Sequence, residues 1–145
     1  MRYWSVYCME HDWPGLWRAW EEQQIVTLGW PPSLGYSFEG RGKVNRGWTI
    51  VRNRLGQVAA GDRILARLPD HRIGRVGDVL KVAPRNDQWA ALVPPSDRHP
   101  DGEQGRIITV RWDFSLGPNS REYGCLLPEN LRMKGGRLRS TINEL

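Results

Sequence analysis

Apolar positions along the chain change period several times, and each change marks an element. Tyr3 to Met9 is dense in aromatic and β-branched residues and predicts a first strand. Asp12-Trp13-Pro14 then carries a helix-start signal, a capping acid with proline in the first turn. Trp13, Leu16, Trp17, Trp20 and Gln24 follow at helical spacing, while Arg18, Glu21 and Glu22 take the other face. The three tryptophans of this stripe are therefore expected to face the core. Ile25 to Gly29 predicts a second strand that ends on Trp30 and is stopped by Pro31-Pro32. Residues 31–47 form a loop punctuated by Gly and Pro, and loops of this length are often functional. Thr49 to Ala60 predicts a second helix, capped by Thr49 and stopped by Gly61, with Gly56 inside it.

The second half reads as antiparallel strands. Gly61 to Leu68 is a strand leaving a tight turn, and Ile73 to Val82 is its hairpin partner, where Gly74 and Gly77 suggest a bulge or bend. Residues 94–105 are a polar loop. Arg106 to Phe114 alternates, with Ile108, Val110, Trp112 and Phe114 on one face and Ile107, Thr109, Arg111 and Asp113 on the other. The order of elements predicts one α+β domain over residues 1–145, a small curved sheet or partial barrel with flanking helices. Its core is expected over roughly residues 3–115, with a basic C-terminal segment at 116–145.

Composition narrows the class. Hydrophobic residues make up 39% and charged residues 26%, a globular balance rather than a disordered one. No apolar run is long enough to cross a bilayer, and the N-terminus lacks the apolar core of a signal peptide. Two cysteines, Cys8 and Cys125, make no disulfide framework, so a cytoplasmic protein without a membrane partner is expected. The net charge is +5 with a pI near 9.7. Arg41, Lys43, Arg46, Arg52 and Arg54 fall in one acid-free run, and Arg132, Lys134, Arg137 and Arg139 in another. Acids collect instead at Glu10, Asp12, Glu21 and Glu22. This layout points to a polyanion partner, nucleic acid first, against the plainer alternative of a solvated basic face.

Catalytic and metal motifs are not found. Gly42-Lys43 resembles the end of a phosphate-binding loop, but Ser37 stands where its first glycine belongs and Val44 where a magnesium-binding hydroxyl belongs. Cys8 and His11 have half the spacing of a metal site without a second half, and His71 and His99 lie alone in loops. Asp78 and Lys81 are fragments of a nuclease pattern with no acid–x–lysine strand to complete it. No Gly-x-Ser-x-Gly elbow is present. No enzyme activity, metal or cofactor is expected.

Eight tryptophans remain to be explained, and periodicity assigns Trp13, Trp17, Trp20 and Trp112 to the core, with Trp4 joining them from the first strand. Aromatic rings at strand ends and in loops can clasp a nucleobase by stacking, worth about 1–3 kcal/mol per base. A base in a duplex must first be flipped out, which requires phosphate contacts around the pocket. Trp30, Trp89, Tyr36, Phe38 and Trp48 are the candidates for such a cage. The cations Arg41, Lys43, Arg46, Arg52 and Arg54 interleave with them as candidate phosphate contacts.

These residues also carry a family resemblance. Leu16-Trp17 with Ile25-Val-Thr-Leu-Gly-Trp30, then Ala60-Gly-Asp-Arg-Ile-Leu-Ala-Arg67, Ile73-Gly-Arg-Val-Gly-Asp-Val79 and Ile107-Ile-Thr-Val-Arg-Trp-Asp113, resemble EVE-type domains in family order. Those domains belong to the PUA-like superfamily, are related to YTH domains and occur in modification-dependent restriction systems. The resemblance implies a pseudo-barrel that holds a modified base in an aromatic cage. It implies Trp30 and Trp89 as cage walls and the end of the first strand, Tyr7 to Glu10, as the pocket edge, where Cys8 and Glu10 would meet the base. The chain departs from the family where Pro31-Pro32 replaces an acid after Gly-Trp, and its Arg41–Arg54 run has no clear family counterpart. Relatives are often fused to nucleases or motor domains, so the expectation is either a freestanding reader with a separate nuclease or other effector as partner, or one domain of a larger chain, with DNA favoured over RNA as the polymer. The competing expectation is a small-molecule or protein-interaction domain of the same fold, its basic surface serving solubility alone.

Overall fold

The computed structural model describes residues 1–30, 46–84, 104–115 and 141–145. The elements run β1 (Tyr3–Tyr7), α1 (Leu16–Gln23), β2 (Ile25–Trp30), α2 (Arg46–Leu55), β3 (Arg63–Leu68), β4 (Arg72–Pro84), β5 (Gln104–Trp112) and β6 (Ile142–Glu144). The strands form one mixed sheet, ordered β2-β5-β4-β3-β1-β6, that curls into a half-barrel. β1 and β3 are parallel and the other neighbours antiparallel. This is the curved α+β sheet that the periodicity predicts.

Strand alternation builds the core. Trp4, Val6 and Cys8 point inward from β1 and its exit, with Ile64, Ala66 and Leu68 beside them on β3. The register sets Trp4, Ile64, Gly77 and Trp112 in one row across four strands. Gly77 is obligatory there, because a Cβ would lie 2.7 Å from the Arg111 carbonyl oxygen and 2.9 Å from the Trp112 ring. Gly74 makes the same room for α1, since a Cβ would lie 2.7–3.1 Å from three ring atoms of Trp17. Both glycines are thus seats for indole rings. The expected irregularities exist, but the register shifts fall between Leu65 and Arg67 and between Val79 and Lys81.

The indoles are also joined by hydrogen bonds. Trp112 Nε1 donates to the Trp20 carbonyl at 2.9 Å, and Trp20 Nε1 donates to Thr27 Oγ1 at 2.9 Å. Trp17 meets Trp112 edge-on with ring centroids 5.8 Å apart. A partly buried ion pair, Arg75 to Glu21 at 3.1 Å, ties β4 to α1.

Several boundaries differ from expectation for local reasons. α1 begins at Leu16 rather than beside Asp12, because Glu10 supplies the cap from further back: its carboxylate accepts the backbone N–H groups of Gly15 (2.6 Å) and Trp17 (2.7 Å). α2 starts at Arg46, so Thr49 lies inside the helix instead of capping it, and the helix stops at Leu55 before Gly56. β5 ends at Trp112, which leaves Phe114 exposed beneath the Arg75 guanidinium at 4.4 Å instead of in the core. The chain's last strand also belongs to the core: β6 pairs with β1 and buries Ile142 completely.

Asp62 ties the start of β1 to the turn before β3 and to β4. Its carboxylate accepts Trp4 Nε1 and the backbone N–H of Arg2, both at 2.9 Å, and that of Ala59 at 3.0 Å. Its own carbonyl accepts the Val79 N–H at 2.8 Å. Burial raises the carboxyl pKa, but these three donors outweigh it and the value falls below the usual 3.8. A lowered folded-state pKa contributes stability above the unfolded value that is lost as pH falls through the folded one. Urea denaturation is therefore expected to show a loss of stability below about pH 4 that is missing in Asp62→Asn. Gly74→Ala and Gly77→Ala are each expected to cost about 1–3 kcal/mol in the same assay, the overpacking penalty. Gly77→Ala is the larger because backbone, not a ring edge, opposes its methyl.

Candidate nucleic-acid-binding site

Five of the eight tryptophans fill the core: Trp4, Trp13, Trp17, Trp20 and Trp112 are each at most 4% exposed. Trp30 takes a different position. It is the last residue of β2, which among the described residues is one of the two edge strands of the sheet, and it pairs with Gln104 at the start of β5. The preceding pair is Gly29 with Gly105. Two side-chain-free positions thus face each other across the strands immediately beside Trp30. Gly105 is invisible as a site residue in the sequence, because only the register brings it opposite Gly29.

The other cage candidates are positioned less completely. Trp48 lies in the first turn of α2 together with Arg46. Tyr36, Phe38 and Trp89 lie outside the described residues, as do Arg41 and Lys43 and the second basic run, Arg132 to Arg139.

The end of β1 has a structural use. Cys8 is completely buried, and burial, reinforced by the Glu10 carboxylate, pushes its thiol pKa well above the ordinary value. It is a neutral core thiol at physiological pH. Glu10 caps α1 through both carboxylate oxygens. His11 is exposed while Cys8 is buried, so this Cys–His pair is divided between surface and core. Tyr7 is half-buried at the end of β1. It stands opposite Arg67 on the parallel strand β3, whose guanidinium lies 5.7 Å from the Tyr7 ring centroid. Burial lowers the Arg67 pKa to about 10, and burial likewise raises that of Tyr7, so the pair is a cation and a neutral phenol at pH 7.

Two of the three arginines of α2, Arg52 and Arg54, differ sharply. Arg54 donates from Nη1 to the Ile142 carbonyl at 2.7 Å and to Asn143 Oδ1 at 2.9 Å. It covers the outer edge of β6, which would otherwise present unpaired backbone. Arg52 forms no ion pair among the described residues and is only partly buried. Of these two candidate phosphate contacts, Arg52 is the one whose charge remains available.

Among the described residues no group of three or more His, Cys, Asp or Glu side chains is arranged to hold a metal ion. No described helix is long and apolar enough to cross a membrane. No protein-family model matches the sequence, and no curated protein matches it.

The contrast between the two arginines is measurable. Arg54→Ala is expected to lower stability by about 1–3 kcal/mol, the range for removing a charged hydrogen-bond donor, and to speed amide exchange in β6. Arg52→Ala is expected to leave both within error. Equal destabilisation by the two substitutions would contradict the assignment.

Proposed function

We propose that this protein is a nucleic-acid-binding module that reads a modified, unpaired or flipped base in an aromatic cage walled by Trp30. The observation that carries the reading is the end of β2, where a tryptophan closes an edge strand beside the glycine pair Gly29 and Gly105. A tryptophan at a strand end is placed to wall a pocket rather than fill a core, and its flat ring is the surface base stacking uses. Trp89 is the opposite wall by the EVE-type resemblance, with Tyr36, Phe38 and Trp48 as further aromatic candidates. The PUA-like pseudo-barrel that this resemblance implies is compatible with the curled six-stranded sheet. Phosphate contacts come from the acid-free Arg41–Arg54 run, with Arg52 as its available cation on α2.

In this reading the protein is cytoplasmic, non-catalytic and without cofactor, and a separate nuclease or other effector acts on the DNA it marks. Cys8 and Glu10 drop out of the base contacts, since one is core and the other holds a helix N-terminus. One observation favours the second reading, a small-molecule or protein-interaction domain: Arg54 serves the sheet edge, so part of the basic run is structural.

Titration of modified and unmodified oligonucleotides against wild type and Trp30→Ala separates the two. The cage predicts preference for the modified base in wild type and its loss in Trp30→Ala, by about 1–3 kcal/mol. Equal binding in all four combinations would sink it. In the same titrations log K is expected to fall with log salt, and Arg52→Ala to reduce the slope on duplex DNA by about 0.9. A slope near zero supports the second reading.

A further inference from the structure

The outer face of the half-barrel carries a second cationic and aromatic feature, distant in sequence from the basic run. The register sets Tyr3, Arg63, Asp78 and Arg111 side by side on β1, β3, β4 and β5. Their chain neighbours Trp4, Ile64, Val79 and Trp112 are buried, so alternation puts this row on the opposite face. Further along that face Ser5 and Arg67 are covered, whereas Tyr3 is 52% exposed and the Arg111 side chain 68%. Asp78 lies 3.1 Å from Arg111 Nη2 and 3.7 Å from Arg63 Nε. One carboxylate between two guanidinium groups leaves a net positive charge. It also holds both cations in place while most of their N–H donors stay available, five per guanidinium. Lys81, exposed on β4 opposite Thr109, extends the positive side. Asp113, two residues past Arg111, is engaged with the backbone N–H and hydroxyl of Ser115.

We propose that this row is a platform for an unpaired nucleic-acid strand, with a base stacked on Tyr3 and phosphates held by Arg63 and Arg111. Surfaces that bind single strands combine an exposed aromatic ring with cations tracking the backbone, and this row has both on a rigid sheet. At the usual strand spacing, three intervals separate Tyr3 from Arg111 by about 14 Å, room for a short stretch of strand. An acidic protein surface would use the cations but not the ring. The proposal rests on the nucleic-acid part of the reading above and is independent of Trp30.

The test is fluorescence anisotropy of the full chain with a short, unmodified oligothymidine, over a series of salt concentrations. Tyr3→Ala is expected to weaken binding about tenfold, within the range for losing one stacked base. Arg111→Ala is expected to weaken it and to lower the log–log salt slope by about 0.7, the increment for one phosphate contact on a single strand. Asp78→Asn is expected to tighten it by releasing both guanidinium groups. All three positions are solvent-accessible, and unchanged melting temperatures confirm intact folding. Tyr3→Ala binding like wild type, whatever Arg111→Ala does, overturns the platform. Trp30→Ala run alongside distinguishes the two sites. Loss of modified-base preference there with normal Tyr3→Ala binding sinks the platform alone, and the reverse pattern sinks the cage alone.

Discussion

Two indole rings rest on bare backbone in β4, and the placement of nearly every other element follows from that contact. β4 is the longest strand, pairing with β3 on one side and β5 on the other. Gly77 admits Trp112 from β5, and Gly74 admits Trp17 from α1. With those rings seated, Trp112 reaches the Trp20 carbonyl and Trp20 reaches Thr27, so β5, α1 and β2 are linked through indole N–H groups. Trp17 Nε1, buried with no partner among the described residues, shows that ring packing rather than hydrogen bonding decides its position. An unmet buried donor costs about 1–3 kcal/mol, comparable with the burial of one large apolar side chain that offsets it. The strand that ends on Trp30 is therefore fixed by a core of other tryptophans.

Much of this was legible from periodicity. The helical stripe of Trp13, Trp17 and Trp20 and the alternation through Trp112 each name core residues, and all four are buried. Local pattern was less informative where distant residues decide. Asp12 looks like a helix cap, yet Glu10 performs that role, its carboxylate reaching forward over the turn to the N–H groups of Gly15 and Trp17. Gly74 and Gly77 read as bulge signals, since their indole partners lie far off in sequence. β6 was hidden in a basic tail, and only its pairing with β1 and the Arg54 contact explain why Ile142 is core. For the site, Trp30 could be singled out from its strand-end position, whereas Gly105 and the row from Tyr3 to Arg111 depend on register alone.

Charge is divided between structure and surface in a way composition does not reveal. Arg54, Arg75 and Arg67 are drawn into edge, helix and strand contacts, and Asp62 is held ionised by three donors. Arg52, Lys81 and Arg111 remain outward, so the net charge of +5 alone does not reveal which cations the structure has already engaged.

The division of the tryptophans into core and pocket is tested most directly by fluorine NMR of protein labelled with 5-fluorotryptophan. Resonances are assigned by single Trp→Phe substitutions, and an oligonucleotide carrying the preferred modified base is then added. The Trp30 resonance should shift strongly while those of Trp4, Trp13, Trp17, Trp20 and Trp112 stay in place. A Trp30 resonance that does not respond, or movement confined to the five buried indoles, would contradict the assignment of Trp30 to a base-binding cage.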